Sequence, residues 1–167
     1  LVADHGIQAG SVSAGRSKGF QEAIAQYANM EALETQWTDA DSTKSMNITS
    51  DEITAHPELA GVFNACAAST GDAEAVKAKG LEGQVKIVAF DPSPEVLPLF
   101  DEGTIQAIIA QDPYQMGYEG VAALDAFING ETIDNPNVEL APVLITPENY
   151  DTPEVQALLQ TPDKFEK

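Results

Sequence analysis

Polar side chains that could bind a ligand follow two apolar runs of this sequence. Asp91 comes directly after the apolar residues 85–90, and Gln111 comes directly after the apolar residues 105–110. Ligands of open α/β sheets bind at the carboxyl ends of the strands. The two runs, interpreted as strands, therefore deliver two hydrogen-bonding side chains to one edge of a sheet. Further candidates in comparable places are Arg16, Asp39, Asp41, Asn64 and Cys66.

An arginine, several carboxylates and an amide together suit a polyhydroxylated ligand. Each sugar hydroxyl can both donate and accept a hydrogen bond, and charged partners form the stronger bonds. Trp37 lies just before Asp39 and Asp41, and it offers an aromatic face on which a sugar ring could stack. Loop capping and salt bridging would account for the same residues equally well, so the spacing alone leaves both interpretations open.

A phosphate-binding loop is the strongest enzyme-like signal. Residues 10–17 match the pattern G-x-x-x-x-G-K-[ST] except that Arg16 stands where lysine belongs. Residues 85–91 resemble the apolar strand and acid that support magnesium in such enzymes. Arginine is not an equivalent replacement for this lysine, which reaches the terminal phosphates as a compact point charge. A P-loop-like nucleotide-binding enzyme is therefore the less favoured alternative.

The charge balance argues against a nucleic-acid partner. The 167 residues include 27 acidic and 8 basic side chains, a formal net charge of −19. Binding to nucleic-acid phosphates requires clustered lysine and arginine. The acidic residues are spread along the chain, a pattern typical of a solvated surface. No apolar run approaches the roughly 20 residues of a membrane-spanning helix.

The single cysteine and the two histidines indicate no reactive centre. Cys66 cannot form a disulfide within the chain, and its small, apolar neighbours favour a buried, inert thiol over a nucleophile. His5 and His56 lack the spacing of metal ligands. Neither histidine follows a strand end in the order that a serine-hydrolase triad requires. We therefore expect no metal site.

Alternating strands and helices must position these residues. Apolar runs predict strands and periodic segments predict helices, and their alternation indicates an α/β fold with a doubly wound, mainly parallel sheet. The predicted strands are residues 1–4, 33–37, 61–64, 85–90, 105–110 and 138–145. The predicted helices are residues 13–28, 43–55, 70–79, a short one near 96–100, 113–128 and 153–159.

Four stretches of the chain resemble a known family. They are residues 15–20, 55–63, 88–91 and 110–117, the last of which reads Ala-Gln-Asp-Pro-Tyr-Gln-Met-Gly. Together they resemble the type I periplasmic sugar-binding proteins, the ribose-binding-like solute receptors of ABC importers. The resemblance covers residues 1–149, and the Gln-x-Pro-x-x-x-Gly element is its most specific part.

This resemblance implies a fold of two α/β lobes that bind a sugar in the cleft between them, without chemistry and without a cofactor. It implies that the chain is the carboxyl-terminal portion: one type I lobe plus a segment of the other lobe. Residues 1–111 would form the second lobe, 112–145 a helix and strand returning to the first lobe, and 146–167 the final crossing and tail. The implied partners are a small-molecule sugar and the membrane subunits of an ABC transporter. The implied location is extracytoplasmic, in the periplasm or lipid-anchored at the outer face of the cell membrane.

By position, Arg16, Asp91 and Gln111 match ligand-binding residues of the family. Cys66 stands where the family usually has an asparagine, and Ala40 stands where an aromatic residue commonly stacks on the sugar. Trp37 is a candidate replacement for that aromatic residue, whereas Asn64 is expected to point elsewhere. The candidate ligand-binding set is Arg16, Trp37, Asp41, Cys66, Asp91 and Gln111.

The effector-sensing domain of a lactose-repressor-like regulator is the alternative within the same fold. Such regulators need a DNA-binding headpiece and usually lack the form of residues 111–117 seen here. A second expectation concerns the helix that begins at Pro113. Its apolar face, with Met116, Leu124 and Phe127, should be covered by a missing amino-terminal lobe or a second copy, or should fold back onto the sheet.

Overall fold

One mixed sheet carries the fold in the computed structural model, which describes residues 1–8, 11–132 and 137–160. Its strands lie in the order β2-β1-β3-β4-β5-β6. β1 to β5 pair in parallel, and β6 pairs antiparallel with β5. The strands are β1 (Val2–Gly6), β2 (Gln36–Trp37), β3 (Gly61–Asn64), β4 (Lys86–Phe90), β5 (Ala107–Ala110) and β6 (Val143–Ile145).

Helices connect the strands in the predicted alternation. They are α1 (Ser11–Ile24), α2 (Ser42–Ala55), α3 (Ser69–Ala78), α4 (Val96–Asp101), α5 (Pro113–Ile128) and α6 (Pro153–Leu159). The doubly wound, mainly parallel α/β fold predicted from the sequence is confirmed. Among the strands the boundaries differ most at the last one, which was predicted over residues 138–145 but spans three residues, and the second, predicted over residues 33–37, is reduced to two residues.

The two faces of the sheet bury different side chains because successive strand residues point to opposite sides. Ile87 and Ala89 of β4 belong to the main core, which also includes residues of α2, α3, α4 and α6. Val88 and Phe90 belong to a smaller cluster on the other face. There Phe20 of α1 stacks on Phe63 of β3, with ring centroids 4.9 Å apart.

Helix α5 packs on none of these layers. It has no buried residue, and Leu124 and Phe127 are 56% and 73% exposed. The option that its apolar face folds back onto the sheet is therefore wrong for the described chain. None of the helices in the described residues is both long and apolar enough to span a bilayer.

The end of the segment predicted to return to the other lobe lies in this sheet. Residues 112–145 were expected to supply a helix and a strand to the first lobe. In the structure Val143 pairs with Ala110 and Ile145 with Ile108, and Ile145 is fully buried. The apolar alternation around β6 identified a strand but carried no information about which strand it would pair with.

Helices α2 and α3 approach each other closely where each begins. A Cβ atom added to Gly71 would overlap the carbonyl oxygen of Ser42. A side chain at position 71 therefore requires the two backbones to move apart, whereas glycine lets them touch.

We expect Gly71→Ala to lower the free energy of unfolding by about 1–3 kcal/mol, the usual cost of overpacking. The matched control is Gly19→Ala in α1, where an added Cβ atom meets nothing within 4 Å. Alanine there should leave stability unchanged or raise it by up to about 1 kcal/mol, because alanine is the better helix former. Urea unfolding of both variants beside the parent protein measures the difference, and equal stabilities would contradict the close approach of α2 and α3.

Candidate ligand-binding site at the carboxyl edge of the sheet

Asp91 and Gln111 meet at the carboxyl ends of two adjacent strands. Gln111 donates from its side-chain Nε2 to Asp91 Oδ2 at 2.8 Å and from its backbone nitrogen to Asp91 Oδ1 at 3.3 Å. The parallel pairing of β4 with β5, which sets Phe90 opposite Ile109, places the two residues side by side. The sequence predicted both residues at this edge, and the structure brings them together.

The backbone of Asp91 is held in the left-handed region, with φ of 58°. Such a conformation costs a non-glycine residue about 1–3 kcal/mol and persists only where the surroundings impose it. The backbone nitrogen of Asp91 still donates to the carbonyl oxygen of Ile109 at 2.8 Å. The sharp turn after β4 therefore directs the carboxylate across the sheet edge toward Gln111.

Arg16 of helix α1 lies beside the same edge. Its guanidinium carbon is 3.6 Å from the centroid of the Phe90 ring, and Nη1 donates to the carbonyl oxygen of Ala65 at 3.1 Å. A cation over an aromatic face is attracted by the negative face of the ring. In the described part of the chain no ion pair joins Arg16 to Asp91. The guanidinium and the carboxylate therefore both keep capacity for a ligand.

Cys66 is directed into the protein. The residue is 5% exposed, and its thiol donates to Asn64 Oδ1 at 3.2 Å and lies 3.4 Å from Thr38 Oγ1. The sulfur is therefore hydrogen-bonded within the protein, and the inclusion of Cys66 in the ligand-binding set stays a prediction. The expectation that Cys66 is buried matches the structure.

Trp37 and Asp41 lie at the β2 end of the carboxyl edge, away from β4 and β5. Asp41 is the exposed N-cap of α2, where its Oδ1 accepts from the backbone nitrogen of Lys44 at 2.9 Å. The partly buried Trp37 ends β2, and its ring packs against Gly6 of β1. Because β2 is three strands from β4, these residues are roughly 14 Å across the sheet from Asp91. The structure therefore groups Asp91 with Gln111 and places Arg16 beside them, whereas Trp37 and Asp41 lie three strands away from Asp91.

The P-loop-like segment does not form an open phosphate-binding loop. Residues 11–17 are already helical, as the first turns of α1, whereas residues 9 and 10 lie outside the described residues. The backbone N–H groups from the fifth helical residue onward bond within the helix, so they cannot surround a phosphate. Among the described residues, no three His, Cys, Asp or Glu side chains are grouped as a metal ion requires.

An apolar groove of about 710 Å³ runs along the face of the sheet that carries α1. Its walls include Phe20, Phe63, Val88 and Ile109. Polar ligands need convergent hydrogen-bonding groups, and this lining is almost entirely hydrocarbon, although Arg16 and Lys86 also lie along it. The groove is therefore a poor candidate for binding a polar ligand, and the polar edge is the better one.

A buried ionic network beneath the edge is the feature that sequence reasoning missed. The fully buried Asp72 of α3 accepts from His5 Nδ1 at 3.0 Å and from Thr49 Oγ1 at 2.8 Å. It also accepts from Ser45 Oγ and Asn64 Nδ2. The only sequence signal is the polar pair Ser45 and Thr49, which share one face of α2 at a spacing of four residues.

Histidine and carboxylate stabilise each other's charged forms in this network. Burial by itself lowers the pKa of His5, but the hydrogen bonds and charges of Asp72 and Glu52 outweigh burial and raise this pKa from 6.5 to about 10. His5 Nε2 lies 2.9 Å from Glu52 Oε2. Burial by itself raises the pKa of Asp72, but the hydrogen bond and charge of His5, helped by Ser45 and Asn64, lower it. At neutral pH His5 is therefore a cation that donates to both carboxylates.

The stability of the protein should depend on this ion pair and on pH. The contribution of His5 is fully present below its unfolded pKa of 6.5 and is lost as pH rises through about 10. The contribution of Asp72 is present above its unfolded pKa and is lost as pH falls through its lowered folded value. We expect His5→Ala to lower the free energy of unfolding at pH 7 by roughly 3–5 kcal/mol, because it leaves a buried carboxylate unpaired.

The control for this prediction is His56→Ala. His56 forms a solvent-exposed pair with Glu58 at 3.5 Å, and such pairs contribute about 0–1 kcal/mol. Urea unfolding of the three proteins at pH 7 and pH 10.5 measures both effects. If the His5→Ala variant loses as much stability between the two pH values as the parent does, His5 is not the source of the pH dependence.

A mainly parallel sheet with polar side chains converging at its carboxyl edge defines the class of α/β ligand-binding lobes. A family model described as a periplasmic binding protein domain matches residues 1–132. The chain belongs to this family of periplasmic binding proteins, as the sequence resemblance indicated.

Relatives of known name are sugar-binding proteins. The chain is 33% identical over 129 residues to the ribose import binding protein of Salmonella typhimurium. The match covers 77% of this chain and 43% of that protein. The chain is also 28% identical to the D-allose-binding periplasmic protein of Escherichia coli, over 71% of this chain and 39% of that protein. The chain thus spans less than half the length of these relatives.

Solved structures agree with the fold. An ABC transporter solute-binding protein from Agrobacterium vitis, bound with α-D-tagatopyranose, superposes with a TM-score of 0.85 at 30% identity. The match covers 94% of this chain and 53% of that one. A carbohydrate transporter solute-binding protein from Agrobacterium radiobacter, in complex with D-arabinose, gives a TM-score of 0.85 at 29% identity, over 95% of this chain and 55% of that one.

Proposed function

We propose that this chain is the ligand-binding portion of an extracytoplasmic solute receptor for a carbohydrate ABC importer, which binds a sugar without chemical conversion. The observation that carries the proposal is the meeting of Asp91 with Gln111, beside Arg16, at the carboxyl edge of the sheet. The named relatives support a sugar as ligand and an extracytoplasmic location. Their names describe an import binding protein and a periplasmic protein, which favours a solute receptor over a lactose-repressor-like regulator.

The three side chains offer complementary hydrogen-bonding groups to a sugar. An ionised carboxylate has about four acceptor positions, and two donors of Gln111 already point at Asp91. The remaining positions can accept from two neighbouring sugar hydroxyls. Arg16 has five N–H donors in a rigid fork, of which one is bonded to Ala65. A sugar oxygen can therefore accept from Arg16 while its hydrogen is donated to Asp91.

The division of the chain follows the same proposal. Residues 1–111 form the second lobe, and residues 112–145 are the helix and strand that return to the first lobe, with the strand β6 also paired to β5. Residues 146–167 supply the final crossing and a tail, of which residues 161–167 lie outside the described part. The exposed apolar side chains of α5 support a covering partner, either an amino-terminal lobe or a second copy. The ABC transporter membrane subunits are the proposed partners of the complete receptor.

The proposed function predicts sugar-dependent stabilisation of the protein at its natural length. A sugar present at about one hundred times its Kd should add about 2.7 kcal/mol to the free energy of unfolding. Thermal unfolding against ribose, allose, arabinose and tagatose measures this gain. Asp91→Asn should weaken binding about 10- to 100-fold, because a hydrogen bond to a charged group contributes about 1.5–3 kcal/mol.

The matched control is Asp51→Asn, which removes one negative charge from the exposed surface of α2 and should leave sugar binding unchanged. Equal sugar affinity of the Asp91→Asn variant and the parent would contradict the proposed site. The enzyme alternative makes the opposite prediction: binding of ATP that requires magnesium and disappears in Arg16→Ala.

A further inference from the structure

The orientation of the Asn64 amide is fixed by the buried carboxylate beneath it. Asn64 is fully buried at the end of β3, and its Nδ2 donates to Asp72. An ionised carboxylate can only accept hydrogen bonds. The NH₂ end of the amide must therefore face Asp72, and the carbonyl end must face the turn that follows β3. There Asn64 Oδ1 accepts from the backbone nitrogen of Cys66 at 3.0 Å and from its thiol at 3.2 Å.

One peptide group connects this amide to Arg16. The N–H of Cys66 and the C=O of Ala65 belong to the same planar unit and point in opposite directions. The N–H end is held by Asn64 Oδ1, and the C=O end accepts from Arg16 Nη1 at 3.1 Å. The preceding N–H, that of Ala65, donates to the carbonyl oxygen of His5 at 2.7 Å. The plane of this peptide group therefore sets where the guanidinium is held.

Arg16 is thereby held from two sides. The Ala65 carbonyl oxygen holds one end of the guanidinium, and the Phe90 ring lies 3.6 Å from its central carbon. Long side chains lose rotamer entropy when a ligand immobilises them. A guanidinium that is ordered before the ligand arrives avoids part of that loss.

We infer that Asn64, held by the buried Asp72, is a positioning residue for sugar binding: it orients the peptide group between Ala65 and Cys66, which in turn presents Arg16 to the ligand. The inference rests on the proposed sugar-binding function. It assigns a binding role to a residue that need not touch the sugar.

A double-mutant cycle on sugar affinity tests this role. We expect Asn64→Ala to weaken binding about tenfold in the parent protein, within the range of coupling between residues in contact. In an Arg16→Ala background, the same change should weaken binding no further, because no guanidinium remains to be positioned. Titration calorimetry of the four proteins, at natural length and with the sugar that stabilises the parent, supplies the affinities. If Asn64→Ala weakened binding only because it destabilises the fold, the sugar affinity would fall by the same factor in both backgrounds.

The control variant is Thr49→Val, which removes another donor to Asp72 from the side of α2. It should lower stability and leave sugar affinity unchanged. If Asn64→Ala weakens binding equally in both backgrounds, or does not weaken it in the parent, the positioning role is overturned while the proposed function stands. A parent protein that binds none of the sugars overturns both.

Discussion

The carboxylate of Asp72 is the constraint on which this lobe depends. A buried ion left without partners costs several kcal/mol, and Asp72 has no exposed surface. Its four hydrogen-bond donors come from β1, α2 and β3, while Asp72 itself belongs to α3. Satisfying one carboxylate therefore fixes two strands and two helices relative to one another, and Gly71 permits the close helix contact beside it.

The candidate site is built from two kinds of support that meet at the sheet edge. Strand register brings Asp91 to Gln111, because β4 and β5 pair directly and both residues follow the last paired positions. The buried network around Asp72 holds Asn64, which fixes the turn after β3, and the Ala65 carbonyl oxygen of that turn accepts from Arg16. Three of the candidate side chains converge here, which accords with the proposal that a first lobe, outside residues 1–111, would complete a sugar site.

The sequence was informative where the structure obeys local rules. Short apolar runs alternating with periodic segments predicted the parallel sheet, and the position of Asp91 and Gln111 directly after two runs predicted their meeting. The same rules gave β2 too much length, because the apolar pattern of residues 33–37 does not show how far the strand pairs. Asp41 was placed in the ligand-binding set, although a short acidic residue before a helix is also a common N-cap.

The buried network could not be predicted in the same way. His5 and Asp72 are 67 residues apart and share no motif, and charged residues are seldom fully buried. From composition alone, both His5 and Asp72 would be expected at the surface. Cys66 illustrates the related difficulty that a residue at a strand end can point to the ligand or into the protein. Here the hydrogen bonds of Asn64 and the nearby Thr38 hydroxyl decide the matter, and neither contact has a sequence signature.

A crystal structure of the natural-length protein with its bound sugar would test the central claim most directly. The account predicts sugar hydroxyls within hydrogen-bonding distance of the Asp91 carboxylate, the Gln111 amide and the Arg16 guanidinium, with the Ala65 carbonyl oxygen still bonded to Arg16. A sugar that lies elsewhere, with Asp91 bonded only to Gln111, would contradict it.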